Sequence, residues 1–189
     1  MSIITIIKII SPYILGIITG YYLTLHLFSE MIPVFVGTQE VIYPLVLYST
    51  LAISILFFIM TFQRIIGKHI SKPLIYCFLV IYFIVLIGLL FCRYSYEGTL
   101  VINPLIGLVD SIRSKEMLLQ SILNLLIFVP TGYFLKEKSL KVTVVSSMII
   151  SLIIESVQYA FRLGFFDTFD CLLYIAGICL GRAIVRTIV

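Results

Sequence analysis

The sequence predicts an all-α fold, a polytopic bundle of transmembrane helices with about six spans, five being the alternative count, and both termini in the cytoplasm. Three observations carry this. Of 189 residues, 61% are hydrophobic and 12% charged, and the mean hydropathy is +1.19. A soluble domain of this size has too little interior to hide so much apolar side chain. The apolar residues fall into runs of about 20, the length an α-helix needs to cross hydrocarbon. The Lys and Arg residues stand at the ends of those runs, where insertion requires them.

The first run, residues 9–28, follows Lys8. It is too long for a signal-peptide core and lacks a small-residue cleavage site, so it is expected to stay as an anchor, with His26 at the interface. A loop over 29–40 leads to the second run, 41–62, closed by Arg64, Lys68 and Lys72. The third run is 73–92. The connection 93–116 holds Asn103-Pro104 inside an apolar stretch of about 14 residues, too short to span but suited to lying at the interface or re-entering. The fourth run, 117–135, contains Pro130, which predicts a mid-span kink. The fifth is 142–161, and a short loop leads to the sixth, 169–185. The expected organisation is an N-terminal three-span region with its interfacial connection, 1–116, and a three-helix core, 117–189, forming one structural domain.

Alternating loops put Lys8, Arg64, Lys68, Lys72, Lys136, Lys138, Lys141, Arg182 and Arg186 on one side and Arg93, Arg113, Lys115 and Arg162 on the other. The positive-inside rule then assigns the richer side to the cytoplasm. The net charge of +4 is no nucleic-acid signal, because no basic patch is interleaved with aromatics. Trp is absent, and the 12 Tyr are expected to serve at the interfaces. The four cysteines, Cys77, Cys92, Cys171 and Cys179, lie in apolar runs without zinc-site spacing and read as small buried hydrophobes; a Cys92–Cys171 disulfide stays open. No cofactor or metal is expected.

The fifth run carries Ser147, Ser151, Glu155, Gln158 and Arg162 within roughly an 80° arc of one helix face. A carboxylate inside hydrocarbon is costly and faces protein or water. At about 1.5 Å per residue, Glu155 lies roughly 9 Å and Asn124 roughly 10 Å below the extracytoplasmic surface. Asn124 shares a face with Gln120 and Thr131 in the fourth run. Asp170, Tyr174, Gly177 and Gly181 share one in the sixth, where Gly177 and Gly181 form a GxxxG packing pair. Asp167 and Asp170 suit the N-terminus of the sixth helix as caps, which leaves a binding role open. Glu155 with Arg162 also reads as an ion pair that only fixes packing.

These residues resemble the VanZ-like family of small bacterial membrane proteins. The likeness covers about residues 121–182. It rests on Asn124 with Phe128, Pro130 and Gly132, then Ile154, Glu155 and Gln158, then Arg162, Asp167, Asp170, Gly177 and Gly181. VINPL at 101–105 is a partial echo of a further family element, and Tyr174 stands where the family usually has Asn. The resemblance implies a multi-pass protein of the bacterial plasma membrane with a role in tolerance of teicoplanin-type glycopeptide and lipoglycopeptide antibiotics.

The leading functional expectation is a binding protein, not an enzyme. Its outward-facing polar pocket of Asn124, Glu155, Gln158, Arg162, Asp167 and Asp170 would engage an antibiotic lipid tail, a lipid-linked cell-wall precursor or a phospholipid. Pro130, Gly132, Gly177 and Gly181 are assigned to packing. The alternatives are an intramembrane enzyme on a lipid-linked envelope substrate, with Glu155 and Asp167 or Asp170 as acid and base, and a membrane scaffold. No nucleic-acid partner is expected; a membrane-protein partner or a second copy stays open.

Overall fold

Along the fifth apolar run polar side chains turn inward and apolar ones outward, the reverse of a helix in a water-soluble protein. Thr143, Ser147, Ser151, Glu155 and Gln158 are buried, whereas Val144, Val145, Met148, Ile149, Leu152 and Ile153 on the same helix are exposed. That pattern suits a solvent of acyl chains. The computed structural model describes residues 3–37, 40–92 and 99–188. Among these, six helical segments are long and apolar enough to cross a membrane, so the chain is an integral membrane helix bundle. It divides into two compact units, Met1–Leu89 and Leu90–Val189.

In the first unit, helix α1 (Ile3–Leu23) passes through a π-helical turn, Thr24–Phe28, into α2 (Ser29–Val36). Residues 29–36, expected as a loop, are therefore helical. The helix continues until Gly37, whose φ of +63° a non-glycine residue rarely adopts. Hydroxyls flank the widened turn: Thr24 Oγ1 donates to the Gly20 carbonyl at 2.8 Å, and Ser29 Oγ to that of Leu25. Such bonds compete with the backbone ladder and accompany local changes of helical register. Helix α3 (Ile42–Ile65) lies directly on α1, since a Cβ on Gly16 or Gly20 would strike the backbone of Ile59 or Ile55. Tyr13 accepts a hydrogen bond from Gln63 Nε2 at 3.1 Å across that contact. Helix α4 (Lys72–Phe91) follows, its last two residues belonging to the second unit.

The second unit contains β1 (Leu100–Val101), α5 (Pro104–Arg113), α6 (Lys115–Leu126), a 3₁₀ segment (Pro130–Leu135), α7 (Leu140–Ala160), β2 (Phe166–Asp167) and α8 (Thr168–Ile188). Helix α8 is the hub, packing on α5, α6, the 3₁₀ segment and α7. The fourth run does not kink at Pro130; it breaks. From Phe128 to Gly132 the backbone bonds run three residues back, Phe128 to Leu125, Val129 to Leu126, Thr131 to Phe128 and Gly132 to Val129. Pro130 has no N–H for an α-helical bond, and the tighter turn re-satisfies the freed carbonyls.

Glycines take up this break. A Cβ on Gly177 would fall on the Leu125 carbonyl, one on Gly181 on the Val129 carbonyl, and one on Gly132 on the backbone of Gly181 and Arg182. The expected packing role of Gly177 and Gly181 is thus a backbone-on-backbone contact with the broken segment. All four cysteines are free thiols, so Cys92 and Cys171 do not pair.

Gly181→Ala is expected to destabilise the protein by about 1–3 kcal/mol through overpacking against a carbonyl that has no rotamer to yield. Thermal unfolding in detergent should show a clearly lower midpoint, while Ala176→Leu, on an exposed face of α8, should leave it near wild type. Equal midpoints for Gly181→Ala and wild type would refute this contact.

Candidate functional site

The buried stripe of α7 is built from the bottom upward. Its first three hydroxyls satisfy themselves on their own helix. Thr143 Oγ1 donates to Ser139 O at 3.0 Å, Ser147 Oγ to Thr143 O at 2.7 Å and Ser151 Oγ to Met148 O at 2.9 Å. They need nothing from a ligand and act in packing. The next two members reach off the helix. Glu155 Oε2 accepts the backbone N–H of Asp167 at 3.0 Å, and Gln158 Nε2 donates to the Leu90 carbonyl at 2.9 Å. Glu155 is 0% and Gln158 1% exposed, so both carry out these roles away from water.

Arg162 leaves the stripe. Helix α7 ends at Ala160, and Arg162 takes a left-handed φ of +56°. Arg162 N–H donates to Tyr159 O at 3.1 Å and Leu163 N–H to Gln158 O at 2.8 Å, the paired bonds of a Schellman cap. The 100° periodicity that put Arg162 on the Glu155 face stops applying where the helix stops, and its side chain is exposed.

Asp167 is the junction of the site. Its N–H is held by Glu155, its Oδ1 accepts the Phe169 N–H at 2.8 Å as the cap of α8, and it forms part of β2. Strand β2 pairs in parallel with β1, Leu100 opposite Phe166 and Val101 opposite Asp167. Thr168 Oγ1 adds a bond to the Ile102 carbonyl at 2.8 Å. The connection then turns into α5, where Asn103 Oδ1 accepts the Leu105 N–H at 3.0 Å and Pro104 occupies the first helical position. Gly107 lets α5 approach Asp167 and Phe169 closely, and Ser111 Oγ bonds Ser121 Oγ of α6 at 2.6 Å. Helix α5 thus turns its small residues inward. Leu105, Leu108, Val109 and Ile112 are exposed. A shallow surface depression runs along α5, lined by Leu105, Ile106, Val109, Asp110 and Arg113.

The other expected site residues fall as follows. Asp170 is half-buried in the first turn of α8. Asn124 is 1% exposed, and its Nδ2 meets no hydrogen-bond acceptor among the described residues. Asn124 on α6 is followed four residues later by Phe128, whose ring packs on that of Tyr174 at 4.3 Å between centroids and an interplanar angle of 35°. Cys171, the residue after Asp170, is buried. Among the described residues no three His, Cys, Asp or Glu side chains converge closely enough to hold a metal ion. Sequence reasoning missed Thr168, Gly107 and the β1–β2 pair. Asn103 before Pro104 is a helix-start signal that the reading of the connection as an apolar stretch did not use; a two-residue strand pair leaves no period to detect.

Burial holds the Asp167 carboxyl above its ordinary value, with Asp110 pushing the same way and the Phe169 N–H opposing them. A family model described as VanZ/LLP1 matches residues 45–189. No curated protein and no solved structure matches the chain.

The raised Asp167 pKa fixes a sign. Between the unfolded value of 3.8 and the higher folded value, the folded state binds the extra proton, so this group's contribution to stability falls as pH rises through that window. Asp167→Asn keeps an oxygen for the Phe169 N–H and removes the charge. The melting-temperature difference, variant minus wild type, is expected to grow with pH across the window and then level off. A difference constant from about pH 3.5 to 8 would contradict the assignment.

Proposed function

This chain belongs to the VanZ/LLP1 family, and on that premise we propose that it contributes to tolerance of teicoplanin-type glycopeptide and lipoglycopeptide antibiotics by binding an amphiphile at the α5–β2–α8 junction. The observation that carries the reading is that α5 presents exposed Leu105, Leu108, Val109 and Ile112 beside an acidic junction that buried Glu155 holds in place. An acyl chain would lie along the apolar face of α5. A polar head group would meet Asp110, Arg113 and Asp167, with Arg162 and Asp170 at the rim. Glu155, Gln158 and Asn124 form the buried support. The ligand is a lipid tail of the antibiotic, a lipid-linked wall precursor or a phospholipid. The junction faces the extracytoplasmic side of the bacterial plasma membrane under the positive-inside assignment.

An arginine guanidinium pairs well with phosphate or carboxylate through its planar fork, and carboxylates accept an amine. The junction offers both charges beside hydrocarbon, which suits a zwitterionic or amphiphilic head. It also explains why the polar groups of three elements gather at one end of the second unit, although Glu155 and Gln158 are themselves committed to backbone partners.

The test separates function from folding. Arg162→Gly removes the guanidinium while supplying the residue best suited to φ near +60°, so membrane protein levels and melting temperature are expected to stay at or above wild type. Expressed in a susceptible bacterium, wild type should raise teicoplanin tolerance, and Arg162→Gly and Glu155→Ala should return it to the vector level. Glu155→Gln, which keeps an acceptor for the Asp167 N–H, should retain normal protein levels. Unchanged susceptibility in both Arg162→Gly and Glu155→Ala sinks the proposal. Loss that tracks protein abundance in every variant favours a scaffold role instead.

A further inference from the structure

The opposite end of the second unit carries a second, unused constellation. Arg182 on α8 is 7% exposed, and its Nε and Nη2 both donate to the Lys138 carbonyl, at 2.9 and 2.6 Å. That partner is neutral. Among the described residues no carboxylate pairs with this guanidinium, although a buried charge without a counter-charge is costly. The surroundings add to the excess. Lys136, Lys138 and Lys141 flank the turn from the 3₁₀ segment into α7, where Glu137 is the single acidic residue between 136 and 141, and Arg186 lies one turn beyond Arg182. The Lys138 carbonyl directly precedes Ser139, the N-cap of the 21-residue α7, so the positive end of that helix dipole points at the same place.

The geometry also leaves a binding edge. Two of the five guanidinium N–H groups are spent on Lys138, through the Nε–Nη2 side of the fork. The Nη1–Nη2 side remains, and that edge matches a phosphate bidentately. Phe134, Leu140 and Ile184, on the elements that frame the cluster, are exposed and apolar, so an anion seated here would have hydrocarbon surface beneath it. A free phosphate would use the charges and leave that surface unmatched.

We propose that Arg182, with Lys136, Lys138, Lys141 and Arg186, forms a binding site for the phosphate head group of an anionic phospholipid, its acyl chains lying along Phe134, Leu140 and Ile184. The site is independent of the junction at the other end of α7 and α8, and it supplies the missing counter-charge to Arg182.

The full chain, purified in mild detergent, would be titrated with phosphatidylglycerol and separately with phosphatidylcholine, with retention read by native mass spectrometry and inorganic phosphate added as competitor. Wild type is expected to retain phosphatidylglycerol in preference to phosphatidylcholine. Arg182→Gln, which keeps a donor for the Lys138 carbonyl, should weaken that retention roughly fivefold, the scale expected for one basic charge near an anionic surface. If Arg182→Gln fails to fold, the exposed pair Lys138→Gln and Lys141→Gln carries the test, with a larger combined loss expected. Equal retention of the two lipids by wild type would overturn the proposal. So would phosphatidylglycerol retention unaltered by the foldable variants, or complete displacement by inorganic phosphate at concentrations that leave the acyl contacts intact.

Discussion

Glu155 has no access to water, and an ionisable carboxyl in that position must find its donors in the protein. It takes the backbone N–H of Asp167, and much of the second unit is arranged around that bond. For Asp167 to present its N–H to the middle of α7's polar face, the chain must turn back sharply after Ala160. The left-handed Arg162 and the Schellman pair provide that reversal. Once returned, residues 166–167 have a free strand edge, which β1 fills, and Asp167 has a carboxylate in position to cap α8. The same bond therefore sets the start of α8, the position of β1 and, through β1, the placement of α5.

Helix α8 in turn depends on close backbone contact. Its glycine face receives the carbonyls of Leu125 and Val129, the stretch where Pro130 prevents continuous α-helix. A broken helix within a membrane is tolerated when neighbouring protein covers the irregular backbone, and Gly177 and Gly181 are what allow that cover. Asn124, just before the break, and Phe128, at its start, are buried, as is Tyr174. The break and the glycines are one structural feature divided between two helices.

Charge separates along the second unit. Asp167 and Asp170 stand at the start of α8, while Arg182 and Arg186 stand at its end beside the lysines of the turn into α7. Each terminus of α8 thus carries the sign its dipole favours, acids at the N-terminus and bases at the C-terminus. The same distribution creates two chemically different ends: an acidic junction with an amphipathic helix at one, a basic cluster with a buried arginine at the other.

The residue order alone determined the membrane class, the number of spans and the inward stripe of α7, because hydrophobic run length and a 3.6-residue period depend only on composition and spacing. Glu155, Gln158, Asn124, Asp167 and the GxxxG pair were legible for the same reason: polar or small residues in apolar runs stand out. The periodicity failed where a helix ceased to be one. Arg162 left the stripe at a C-cap, and residues 29–36 were helical with Pro33 inside the helix. Tertiary structure decided which partners the buried groups took. Glu155 bonds the Asp167 backbone, Gln158 the Leu90 carbonyl and Arg182 the Lys138 carbonyl. Backbone groups look alike in every residue, so no sequence pattern marks which of them a buried side chain will choose; only the folded approach of one segment to another settles it.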